Sequence, residues 1–129
     1  MDTQAPTKPL VYSCSGCSSA AQVANSIALR LTREQVAEMS CIAGVGGRVK
    51  PLVNIATSGR PVVSIDGCSL HCAKACLEAV GVTPSISINL GEWGIKKKLH
   101  EDYCAAEAAS AYARVKAEIE TNLTIDAST

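Results

Sequence analysis

The chain has 129 residues, a length that suits one domain and leaves no room for two. Twelve basic residues balance twelve acidic ones, so there is no electrostatic footprint for nucleic acid or for an anionic membrane. At 47% hydrophobic and 19% charged the bulk of the chain is not disordered, and without Phe the core must come from Val, Ile, Leu and Ala.

Residues 1–9 contain two prolines and no apolar run, and read as a flexible start. Leu10-Val11-Tyr12 is a brief first strand that ends at Cys14. Ser18 or Ser19 caps a helix whose apolar face is Val23, Ile27 and Leu31 with Ala20, Ala24 and Ala28. A further cap signal stands at Thr32, with Glu34 and Gln35 after it. Met39 to Ala43, bounded by glycines, reads as a short buried strand. Val49, Leu52, Val53 and Ile55 recur at helical intervals, with Pro51 in the first turn and Gly59 as a stop.

Pro61 to Ile65 is the clearest strand, rich in β-branched residues, and it stops at the turn signal Asp66-Gly67. Ser69 to Val80 reads as a helix closed by Gly81. Ser85 to Leu90 alternates with period two, as a strand does, and Gly91 to Lys98 follows as a loop. Residues 101–121 form an Ala-rich helix with the seam Ala105, Ala108, Tyr112, Val115 and Ile119. Residues 122–129 read as a flexible tail.

The order β-α-β-α-β-α-β-α predicts one α/β domain over residues 10–121. Its expected architecture is three-layer, with a mainly parallel four-stranded sheet and helices on both faces, in a Rossmann-like or flavodoxin-like topology. There is no secretory signal at the start and no apolar run near the roughly 20 residues that span a membrane. The expected location is the cytoplasm.

Seven cysteines are the outlier of the composition. In a reducing cytosol, clustered thiols read as metal ligands or redox groups rather than structural staples. Cys14, Cys41 and Cys68 stand 27 residues apart, each at or near the end of a predicted strand. In a parallel sheet the carboxyl ends share one edge, where ligands bind. Cys72 lies four residues beyond Cys68, so both face the same side of the first turns of a helix that Cys68-Ser69 opens. Any one of these could be a small buried hydrophobe, and for Cys76 and Cys104, each inside a helical pattern, that is the better reading. Four at one rim instead suit a soft or borderline ion such as zinc. His71 reads as a solvated side chain, Asp66 as a helix cap, and Lys96-Lys97-Lys98 as a solvated loop.

Further motifs carry a resemblance. They are Tyr12-Ser13-Cys14-Ser15-Gly16 with Ser18, Leu29 to Glu34, and Met39-Ser40-Cys41-Ile42-Ala43-Gly44. Then come Ile65-Asp66-Gly67-Cys68 with Cys72-Ala73-Lys74, and Gly94-Ile95-Lys96-Lys97. In these segments, over roughly residues 10–98, the chain resembles the DGC domain family, small proteins named for the Asp66-Gly67-Cys68 tripeptide. The resemblance implies zinc chelated by Cys14, Cys41, Cys68 and Cys72; it implies a site and no particular activity. Cys17 departs from the pattern and is a secondary candidate ligand, since it creates Cys14-x-x-Cys17. Two other functions compete: a thiol-disulfide redox or thiol-transfer enzyme using that pair, and an iron–sulfur protein. The expected partner is a metal ion, with neither nucleic acid nor membrane.

Overall fold

A computed structural model describes residues 8–123. The expected flexible tips lie outside this range apart from residues 8, 9, 122 and 123. Of these, Lys8 and Pro9 are tied down: Arg60 Nη2 donates to the Lys8 carbonyl at 2.6 Å, and the Glu38 N–H to that of Pro9 at 2.9 Å. Asn122 is the last residue of the final helix.

The chain forms a four-stranded sheet of β1 (Leu10–Ser13), β2 (Glu38–Met39), β3 (Val62–Asp66) and β4 (Ile86–Asn89). Every pairing is parallel and the order is β2-β1-β3-β4. The helices are α1 (Ser19–Arg33), α2 (Ile42–Gly46), α3 (Lys50–Ala56), α4 (Cys72–Ala79) and α5 (Ala105–Asn122), with a 3-10 turn over Leu90–Trp93. The expected α/β architecture is what the chain adopts, with helices on both faces of the sheet.

Burial follows from alternation along the strands. Val11, Val63, Ile65 and Ile88 face α1 and α5 and join Val23, Ile27, Leu31, Tyr112, Val115 and Ile119 in the larger core cluster. Leu10, Tyr12 and Val62 face the other way, onto Val45 of α2, Ala56 of α3 and Leu77 of α4. Both faces of β1 and β3 are therefore covered, as the continuous apolar runs of a parallel sheet require.

Two expectations are corrected. The second strand is Glu38–Met39 only, and Ile42–Gly46 is helical, not strand. Cys41 caps that turn, its Sγ accepting the Gly44 N–H at 3.3 Å. A Cβ at Gly44 would collide with the end of the Leu52 side chain, so glycine there lets α3 pack close. A short apolar run between glycines satisfies either period, and tertiary packing chose the helix. At Thr32, where the sequence leaves a separate turn and a continuation both open, α1 continues, and the hydroxyl accepts the Met39 N–H at 2.6 Å. Lastly, α4 begins at Cys72, three residues later than expected, and α5 begins at Ala105.

Candidate functional site

The strand order reverses direction between β1 and β3. The chain leaves β1 towards β2 on one side and leaves β3 towards β4 on the other. In open parallel sheets such a point, at the carboxyl ends of the strands, is where ligands bind. Here the residues just beyond those two strands are Cys14 and Gly67-Cys68.

Cys14 is fixed to β3 twice. Its N–H donates to the Ile65 carbonyl at 3.0 Å, and its Sγ accepts the Gly67 N–H at 3.2 Å. Gly67 itself is wedged against α1. A Cβ there would stand 2.7–2.9 Å from backbone atoms of Ala20 and Ala21, a separation that real side chains do not reach. The turn after Asp66 therefore requires glycine, and that glycine's N–H is the one Cys14 Sγ accepts. Burial pushes the Cys14 thiol above its ordinary pKa; the Gly67 N–H works against this, while the charges of Asp66, Cys68 and Cys72 add to it.

Asp66 is 1% exposed and caps α4 from the end of β3. Its Oδ1 accepts the Ala73 N–H at 2.7 Å and its Oδ2 the Lys74 N–H at 3.2 Å. The residue in the capping position, His71, makes no such bond and adopts the left-handed conformation at φ 55°. This corrects the expectation that Cys68-Ser69 opens the helix. Cys68 lies in the turn, where its carbonyl accepts from the His71 N–H and from Asn89 Nδ2. It does not share a helix face with Cys72.

Cys41 and Cys72 stand at the starts of two helices that both run back from the carboxyl edge. These helices pack together, and Gly46 of α2 abuts Cys76 of α4. Cys41, Cys72 and Cys17 are exposed, while Cys14, Cys68 and Cys76 are half-buried. Cys104, read from the sequence as a packed helical residue, is exposed at the cap of α5. All seven cysteines are free thiols. Among the described residues, no three Cys, His, Asp or Glu side chains stand arranged as a metal cage.

Lys97 is exposed, as a solvated run requires, and its Nζ also reaches Cys68 Sγ at 3.9 Å. One residue escaped the sequence reading. Asn89 is buried at the end of β4, bonded to the Cys68 carbonyl and 3.2 Å from His71 Nε2. Period two puts Asn89 on the same face as the exposed Ser87, so alternation carried no signal of its burial.

The DGC domain family matches residues 10–115. The chain belongs to that family. It is 54% identical over 116 residues to the anaerobic and virulence modulator AnvM of Pseudomonas aeruginosa, across 90% of this chain and 86% of that protein. No solved structure matches the chain. Among the described residues, no helix is long and apolar enough to cross a membrane.

Proposed function

We propose that this DGC-domain protein is a cytoplasmic metal-binding protein. Its site is the thiol rim of Cys14, Cys41, Cys68 and Cys72, with zinc as the first candidate ion. The single observation that carries the reading is the placement of Cys14 and Cys68 just beyond β1 and β3, at the switch point of a parallel sheet, with Cys72 opening the helix that follows. Thiolates there suit zinc or another soft ion. A bound cation would stabilise the thiolate form of Cys14 that burial now disfavours.

Carriage or sensing fits better than stapling. Both core clusters are built from buried apolar side chains; of the four cysteines Cys14 packs against the larger one, and Cys41, Cys68 and Cys72 belong to neither. Cys41 and Cys72 are exposed, so an ion held there can exchange with a partner. A role in adapting to anaerobic conditions, as the name of AnvM suggests for that protein, would suit thiols whose occupancy depends on redox state. The cytoplasm is the compartment that keeps such thiols reduced.

The test is metal analysis with a free-thiol count on protein purified anaerobically without added metal. Cys72→Ser should sharply lower zinc stoichiometry, while Cys17→Ala leaves it nearly intact. The reverse pattern would place the site on Cys14-x-x-Cys17 instead. Small, equal losses together with thiol-disulfide exchange activity would favour the redox enzyme. A brown chromophore would identify an iron–sulfur cluster.

A further inference from the structure

α4 carries a thiol pair that the rim does not use as a pair. Cys72 is its first residue and Cys76 stands one turn on. Residues so spaced lie on one face of a helix, with about 5–6 Å between their Cβ atoms. Ala73 and Leu77 take the buried side of α4, which leaves Cys72 exposed and Cys76 half-buried at its margin. Cys76 borders the seam with α2. A Cβ added at Gly46 would stand 3.1 Å from Cys76 Sγ, so glycine there leaves that sulfur room to turn.

The two sulfurs are uncommitted. Cys14 Sγ accepts the Gly67 N–H, Cys41 Sγ accepts the Gly44 N–H, and Cys68 Sγ has Lys97 Nζ within reach. Among the described residues, Cys72 Sγ and Cys76 Sγ have no such partner. A cation also bridges the two helices beyond the pair. Arg48, just after α2, donates from Nη2 to the Ala79 carbonyl at 3.4 Å, three residues past Cys76.

We infer that Cys72 and Cys76 form a two-coordinate site for a soft monovalent cation, Cu(I) in the first place. Two thiolates one helical turn apart can grip a single ion from opposite sides. Thiolates select Cu(I) by softness, whereas zinc takes four donors. Among the described residues no three Cys, His, Asp or Glu side chains gather as a cage, so the pair suits the ion that needs two. Binding releases both thiol protons to solvent and leaves a complex of net charge −1, which the Arg48 guanidinium offsets. Cys72 belongs to this pair and to the proposed zinc rim, so the two ions exclude one another.

The test is an anaerobic titration of the full metal-free chain with Cu(I), with bicinchoninate as the competing chelator. The first equivalent of Cu(I) should stay with the protein. Cys76→Ser and Cys72→Ser should each yield that equivalent to the chelator, while Cys14→Ser and Cys17→Ala should keep it. X-ray absorption of the wild-type Cu(I) form should show two sulfur neighbours and the edge feature of a linear ion, a readout that needs no variant to fold. Three or four sulfur neighbours, or an unchanged first equivalent in Cys76→Ser, would overturn the proposal. Loss of that equivalent in a folded Cys14→Ser protein would overturn it too, by putting the ion at the rim. The outcome is separable from the zinc reading, because Cys76→Ser should leave zinc stoichiometry intact and Cys14→Ser should lower it.

Discussion

Asp66→Asn probes the residue that ties the sheet to the thiol rim. The wild-type carboxylate accepts two N–H groups from the first turn of α4, at 2.7 and 3.2 Å, in a site 1% exposed. An amide keeps one acceptor oxygen and turns an NH₂ group towards the other N–H. One charge-assisted bond is lost, about 1.5–3 kcal/mol, and with it the favourable meeting of a negative charge and a helix N-terminus, roughly 0.3–1 kcal/mol. Burying a neutral amide costs less than burying a carboxylate, which offsets part of this. The expected net loss is about 2 kcal/mol, or roughly 6–10 °C in Tm for a domain of this size. Urea unfolding should show a lower midpoint at unchanged slope. Asp66→Ala, which leaves both N–H groups bare, should cost more. A second readout is independent of stability: Asp66 is one cause of the raised Cys14 pKa, so Asp66→Asn should lower it, while burial keeps it above the ordinary thiol value. Thiolate absorbance against pH measures this. A stability loss below about 0.5 kcal/mol, the scale of an ordinary surface change, would refute the capping role.

Gly67→Ala should destabilise by about 1–3 kcal/mol or more, because the added methyl meets the α1 backbone and not a flexible side-chain end; thermal unfolding checks this. The Tyr112 hydroxyl donates to Glu34 at 2.6 Å between α5 and α1. Burial, the hydrogen bond to Glu34 and the Glu34 charge together push Tyr112 up to about 12. Its folded pKa lies above the unfolded value near 10, so its contribution is fully present below about pH 10 and is lost between about pH 10 and 12. Tyr112→Phe should flatten that alkaline limb in unfolding experiments run against pH. Glu34 is held below the ordinary carboxylate range, first by the Tyr112 hydroxyl and then by Arg30. Its contribution is present above the ordinary carboxylate pKa and fades as pH falls through the lowered one, so Glu34→Gln should weaken the acid dependence of stability.

Much of the fold was legible because period and residue type specify it locally. The β-branched run ending at Ile65 and the alternation over Ser85–Leu90 both proved to be strands, and the 3.6-residue stripes of α1 and α5 face one core. What failed were the short segments. Met39–Ala43 carries too few residues to show a period, and the choice between strand and turn fell to the Cys41–Gly44 cap and the contact with Leu52. The start of α4 was misplaced because its cap is not the residue before it. Asp66 is the helix cap that the sequence suggests, but it reaches Ala73 and Lys74 across the turn, seven and eight positions on, so the helix starts later than a cap next to its first residue would place it.

The amino-acid sequence by itself determined that strands and helices alternate and that the thiols follow the strands, hence that they share one rim of a parallel sheet. Their mutual arrangement depended on contacts between distant segments. Gly67 against α1 sets the turn that carries Cys68, Asn89 of β4 holds that turn from the other side, and Lys97 arrives from a loop 29 positions away. Sequence pattern reports which face a side chain takes along its own element. Distances between side chains on different elements are set by packing and by hydrogen bonds that form only once the whole sheet is assembled.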